Sequence, residues 1–179
     1  AKALLINTAT QWTFTGTTSD LTRTHQGWGR PSARVARDRA ANSLVVDQGV
    51  PLTLNQSAVY NVVVASGTSD LKATMVYPDP PGTTSATLHR INDLNLRVTS
   101  PSGTNYWGNN GLLAGNWSTS GGSPNTKDTV ENVFVQNPQV ATWTVEVLAA
   151  EVNQDAHLGT PATDAVFSLV VTGGTAQPA

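Results

Sequence analysis

Apolar positions repeat with a period of two over much of this chain. Leu94, Leu96 and Val98 alternate with Asn95, Arg97 and Thr99, the mark of a strand with one dry face and one wet face. The run ends at Ser100-Pro101-Ser102-Gly103, where Pro presets a turn and Gly supplies a positive φ. Tyr60, Val62 and Val64 alternate with Asn61, Val63 and Ala65. After the turn signal Gly67-Thr68-Ser69-Asp70, Leu71, Ala73, Met75 and Tyr77 alternate with Lys72, Thr74 and Val76. Trp143, Val145 and Val147 repeat the pattern, as do Phe167, Leu169 and Val171. Leu44-Val45-Val46, Leu52-Thr53-Leu54 and Val133-Phe134-Val135 are shorter candidates. Pro78-Asp79-Pro80-Pro81-Gly82 interrupts any ladder, because Pro has no amide to donate. Seven to nine short strands with turn signals between them predict an all-β fold, an antiparallel jelly roll or β-sandwich.

Before the strands, Ala1 to Ala9 reads as the end of a helix, with Leu4, Leu5 and Ala9 on one face and no N-cap. Gln11 to Gly29 is loop-like, and Gln26-Gly27-Trp28-Gly29-Arg30 is a tight segment around an aromatic ring. Ser32 is placed to cap a short helix over residues 33–38. Tyr106 to Thr129 is a long polar loop holding Trp107 and Trp117, of a length that is usually functional or held by a ligand. The expected division is therefore a helix and linker over residues 1–41, a β domain over 42–174, and a frayed tail over 175–179.

Charged residues make up 12% of the 179, about half the usual share. Ser, Thr, Asn and Gly take their place, which suits an extracellular β domain. The net charge of −2, without a Lys/Arg cluster, gives no surface for nucleic acid or for an anionic membrane. No apolar run reaches the length that crosses a bilayer. There is no Cys, which excludes disulfides, thiolate metal sites and Cys nucleophiles.

Little in the chain suits nucleophilic catalysis. Gly67-Thr68-Ser69 offers a serine, but between two strands rather than at the start of a helix. His25, His89 and His157 are isolated and lack metal-site spacing. Asn92-Asp93 places two oxygen-bearing side chains at a strand mouth, which suits either a hard cation or turn capping through backbone amides. Tyr77, Tyr106, Trp107 and Trp117 are either a platform for a polymer or plugs for the ends of the sandwich.

Five motifs then occur in order: Val76-Tyr77-Pro78-Asp79-Pro80-Pro81, Ile91-Asn92-Asp93-Leu94-Asn95-Leu96, Ser100-Pro101-Ser102-Gly103-Thr104, Val130-Glu131-Asn132-Val133-Phe134-Val135 and Thr142-Trp143-Thr144-Val145-Glu146-Val147. Together they resemble the C-terminal jelly roll, similar to a P domain, of secreted subtilisin-like serine proteases (subtilases). The segment Lys2 to Ala9 resembles the helix that follows the catalytic serine in that family, and Gln26 to Arg30 the turn that closes its catalytic domain. The resemblance implies a non-catalytic C-terminal region of a secreted, extracellular peptidase, cut after the nucleophile segment. Its implied partner is the catalytic domain of the same polypeptide, which it stabilises. The alternative role is an accessory module that binds carbohydrate or polymeric substrate. With the catalytic domain absent, residues 1–30 are expected to be partly displaced or to lie against a neighbour. Family relatives bind calcium, and the resemblance makes Asp79, Asn92, Asp93, Asp128, Glu131 and Asn132 the candidate ligands. Where the family has Asp, this chain has Asn95, which removes one charge.

Overall fold

The computed structural model describes residues 1–12 and 26–177; His25 lies outside them. The alternating segments form β3 (Ser57–Val64), β4 (Asp70–Val76), β5 (Asp93–Thr99), β8 (Ala141–Glu151) and β10 (Ser168–Thr172). Around them lie β1 (Ser43–Val46), β2 (Pro51–Leu52), β6 (Asn105–Trp107), β7 (Val130–Gln136), β9 (Ala165–Val166) and β11 (Thr175–Ala176). One sheet has the order β1-β10-β4-β7 and a second the order β11-β3-β8-β5-β6, while β2 and β9 make a separate two-stranded ribbon. Every pairing is antiparallel.

The dry faces of the two sheets form one core. The first sheet supplies Leu71, Ala73, Met75, Val133, Leu169 and Val171, and the second Val62, Val64, Leu94, Leu96, Val98, Trp143 and Val147. Each aliphatic side chain buried this way contributes about 1.5–3 kcal/mol relative to leaving it exposed. Trp143 is buried without a polar penalty, because its indole N–H donates to the Gln139 carbonyl at 2.9 Å. The β5 pattern departs from expectation at Asn95, which lies on the expected wet face yet is only 1% exposed.

Three expectations change. Leu52-Thr53-Leu54 shrinks to the two residues of β2, and Leu54 is exposed. Thr175 and Ala176, expected to fray, pair with Val63 and Val62 of β3, because Gly173 at φ 90° turns the chain back. At the front, α1 (Lys2–Asn7) is docked rather than displaced. It lies on the outer face of the first sheet, against β4 and β10. Its buried residues are Ala3 and Asn7, not the Leu4/Leu5 face. Leu4 and Leu5 are 37% and 52% exposed. The reason is the polarity of the sheet face beneath. Asn7 Nδ2 lies 3.0 Å from the Lys72 carbonyl, 3.1 Å from that of Val170 and 3.2 Å from Thr74 Oγ1. The Thr172 hydroxyl donates back to Asn7 Oδ1 at 2.8 Å. An amide matches that surface and a leucine does not.

The second helix, α2 (Ala33–Arg39), starts as expected, with Ser32 Oγ accepting from the Val35 amide at 3.3 Å. Its last residue, Arg39, ties the linker to the sandwich through Asp70, at 2.7 Å. The long loop after β6 lies along the free side of β7. Asn109 Nδ2 donates to the Val130 carbonyl, Asn109 Oδ1 accepts from the Asn132 amide, and the Asn109 amide donates to the Asn132 carbonyl, all at 2.8–2.9 Å. Further along, Ser118 treats Phe134 in the same way through its amide and its hydroxyl.

Candidate metal centre

Four segments converge at one end of the sandwich: the stretch after β4, the mouth of β5, the start of β7 and the end of β8. Tyr77 lies at their centre. β6 pairs with β5 only from Arg97 to Thr99, which leaves the amides of Leu94 and Leu96 without strand partners on that side. The Leu94 backbone amide is hydrogen-bonded to the Tyr77 hydroxyl, which in turn donates to the Asn92 carbonyl at 3.2 Å. The Leu96 amide donates to Glu131 Oε2 at 2.8 Å. Two side chains from the first sheet thus stand in for a strand. Gly108 passes directly over Glu131, and a Cβ there would collide with the Glu131 carboxylate.

The six candidate ligands separate by role. Asp79 accepts from the Ile91 amide at 2.7 Å through one oxygen and from the Asn92 amide at 2.8 Å through the other. Asn92 Oδ1 accepts from the amides of Asn153 and Gln154, and its Nδ2 donates to the Gln154 carbonyl. Asp128 is exposed and held by Asn125 Nδ2 at 2.8 Å. Asn132 faces away from Glu131, since adjacent strand residues point to opposite sides; its Oδ1 accepts from Thr74 at 2.7 Å in the layer beneath α1. Asp93 Oδ2 faces the Arg90 guanidinium at 3.4 Å. Glu131 holds the Leu96 amide.

Three buried acceptors here have no hydrogen-bond partner: Asp93 Oδ1, Asn95 Oδ1 and Glu131 Oε1. Burial pushes the Glu131 carboxyl well above the usual range, with the Leu96 amide pulling against it and the charges of Asp93 and Asp128 adding to it. Burial also raises Asp93, partly offset by Arg90 and by a hydrogen bond from Asn95. Tyr77 is raised by burial first and then by the charges of Asp93, Asp79 and Glu131. Among the described residues no three His, Cys, Asp or Glu side chains gather as a metal-holding group. A calcium ion takes six to eight oxygens. In this structure Asp79 and Asn92 accept from backbone amides and Asn132 lies on the other face. In geometry these residues cap turns and a strand edge.

Sequence reasoning missed Arg90, which closes this end. Its Nη1 donates to Glu151 Oε2 at 2.9 Å and its Nε to the Thr126 carbonyl. A basic residue one place before an Ile-Asn-Asp strand start was the available signal. The sequence marks Asn95 by the charge it lacks, not by its burial.

The other expected features are scattered. Ser69 lies in the turn before β4, its hydroxyl 3.4 Å from Asp70. His157 is 3.4 Å from the buried Asp164. The aromatic residues do not share a face. Tyr77 is buried, Tyr106 packs on Trp143 at 6.1 Å, Trp107 lies under Arg97 at 5.5 Å, and Trp117 lines a cleft with Trp28 and Phe134.

No protein-family model matches the chain, and no curated protein is found similar to it. Among solved structures it is similar to a lipase, BlEst2 of Bacillus licheniformis in its propeptide form, at 10% identity and a TM-score of 0.35. That alignment covers 74% of this chain and 22% of the lipase chain, so this chain matches about a fifth of the other's length. A likeness at that level identifies neither a family nor an activity.

Proposed function

We propose that the chain is a non-catalytic accessory domain of a secreted subtilisin-like serine protease, packing against the catalytic domain of its own polypeptide and stabilising it. The observation that supports this reading is the way α1 is mounted. The segment that resembles the end of a subtilase catalytic domain is clipped to the sandwich through Asn7 and Ala3, and turns Leu4 and Leu5 outward. A helix that buries an amide and exposes two leucines is suited to a second apolar surface on its far side. It would then act as a rigid joint between catalytic domain and sandwich. The reading requires no metal.

The test is thermal inactivation of the parent protease with and without residues 42–174. The shortened enzyme should lose activity faster, and equal half-lives would remove the proposed role. Leu5→Glu supplies a second measure. In the parent it should shorten the half-life, while in this chain alone, where Leu5 is already exposed, it should leave Tm unchanged.

A further inference from the structure

We propose that the Arg90 guanidinium is the resident cation of the acidic end of the sandwich, holding together the segments that a calcium ion was expected to hold. Arg90 lies in a largely exposed stretch, yet its side chain is only 5% exposed. One Nη lies 3.4 Å from Asp93 Oδ2 at the mouth of β5, and the other 2.9 Å from Glu151 Oε2 at the end of β8. Nε donates to the Thr126 carbonyl in the loop before β7. Two carboxylates and a backbone carbonyl, drawn from three separate segments, are the kind of ligands a hard cation would gather. A planar guanidinium with five donors satisfies such a set without a metal.

The backbone is shaped for this arrangement. Along β8, Ala149 pairs with Leu94, but Glu151 rather than Ala150 pairs with Asp93. The irregularity inserts one residue and re-aims the strand, as bulges do. It brings the second carboxylate opposite the first, with Arg90 between them. The amide-bonded oxygens of Asp79 complete the turn that presents Arg90, since they fix the two residues that follow it. The oxygens left for a metal are Asp93 Oδ1, Asn95 Oδ1 and Glu131 Oε1. A divalent ion using Asp93 would lie against a positive charge already in place.

Thermal unfolding of the full chain in EDTA and in millimolar calcium tests this. The wild type should melt at the same temperature in both, whereas a calcium site filled to about a hundred times its Kd would add about 5–10 °C. Arg90→Met should melt about 5 °C or more below the wild type in EDTA, because it leaves Asp93 buried without its counter-charge. A calcium-dependent rise in the wild type overturns the proposal, and so does Arg90→Met melting with the wild type. If Arg90→Met does not fold, Arg90→Lys replaces it. That variant keeps one charge but loses the fork, so it should melt below the wild type; equal melting overturns the proposal again.

Discussion

Removing the Asn7 side chain should release α1 from the sandwich. Asn7→Ala deletes an amide whose Nδ2 is shared among the Lys72 carbonyl, the Val170 carbonyl and Thr74, and whose oxygen accepts from Thr172. Each lost hydrogen bond costs about 1 kcal/mol net, and a buried hydroxyl left without an acceptor about 1–3 kcal/mol. Two bonds through Nδ2 and one stranded Thr172 donor sum to about 3–5 kcal/mol on that basis. That figure is a ceiling. A helix of six residues does not persist unsupported, since isolated helices below about 12 residues are marginal. Once the loss exceeds what docking contributes, α1 lets go and the cost stops growing. A realised loss of about 2–4 kcal/mol would lower Tm by about 4–16 °C for a domain of this size. Calorimetry reads the global part, and hydrogen exchange reads the local part at the Leu5 and Thr8 amides, which are bonded to Ala1 and Leu4 within α1. Asn7→Asp sharpens the test, because it sets a carboxylate oxygen against two carbonyls. That pairing favours the protonated acid and raises the folded pKa above the unfolded value, so the penalty is small at pH 4 and grows as pH rises towards 7. Unchanged Tm and unchanged α1 protection in Asn7→Ala would refute the reasoning.

Two further outcomes concern the acidic end. Glu131 is raised by burial, so the folded state holds its proton more tightly than the unfolded chain, and stability falls as pH rises from the unfolded pKa through the raised one. Glu131→Gln should remove that fall, with the variant gaining on the wild type above about pH 4.5 by up to about 1.4 kcal/mol per pH unit; parallel stability–pH curves would contradict the assignment. Gly108→Ala places a methyl against the Glu131 carboxylate and should cost about 1–3 kcal/mol by overpacking, measured by urea unfolding. A loss near zero would mean that the loop over Glu131 yields freely.

The alternating runs were legible because each buries one face against a partner sheet, and the period of two is the direct trace of that burial. Leu94, Leu96 and Val98 carry it, and so do Leu71, Ala73 and Met75. The two-residue strands left no such trace. Thr175-Ala176 pairs because Gly173 aims it along β3, which is a property of the turn and of the neighbouring strand. α1 misled for a related reason. Helical periodicity points to the leucines, whereas the docking surface is a polar sheet face assembled from β4 and β10, about 65 and 165 residues further along. At the acidic end, the cluster of oxygen-bearing residues was readable, but their occupation was not. Whether Asp79 meets an ion or an amide depends on where the Ile91 and Asn92 amides point, which no local pattern specifies. The position of Arg90 before the strand start was readable but its role was not, because its partners, Asp93 and Glu151, come together only through the irregularity in β8.

The sealing of β7 bears on how this chain behaves in a crowd. β7 is an outermost strand of its sheet, and a bare outer strand invites a neighbour's strand to add to it, which is how sandwiches begin to aggregate. Here the outward carbonyl of Val130 and the outward amides and carbonyls of Asn132 and Phe134 are already spent on Asn109 and Ser118. The long polar loop therefore serves as a guard against polymerisation. A cut that freed this loop, even one that left the core intact, would bare those groups and leave β7 open to a neighbour's strand.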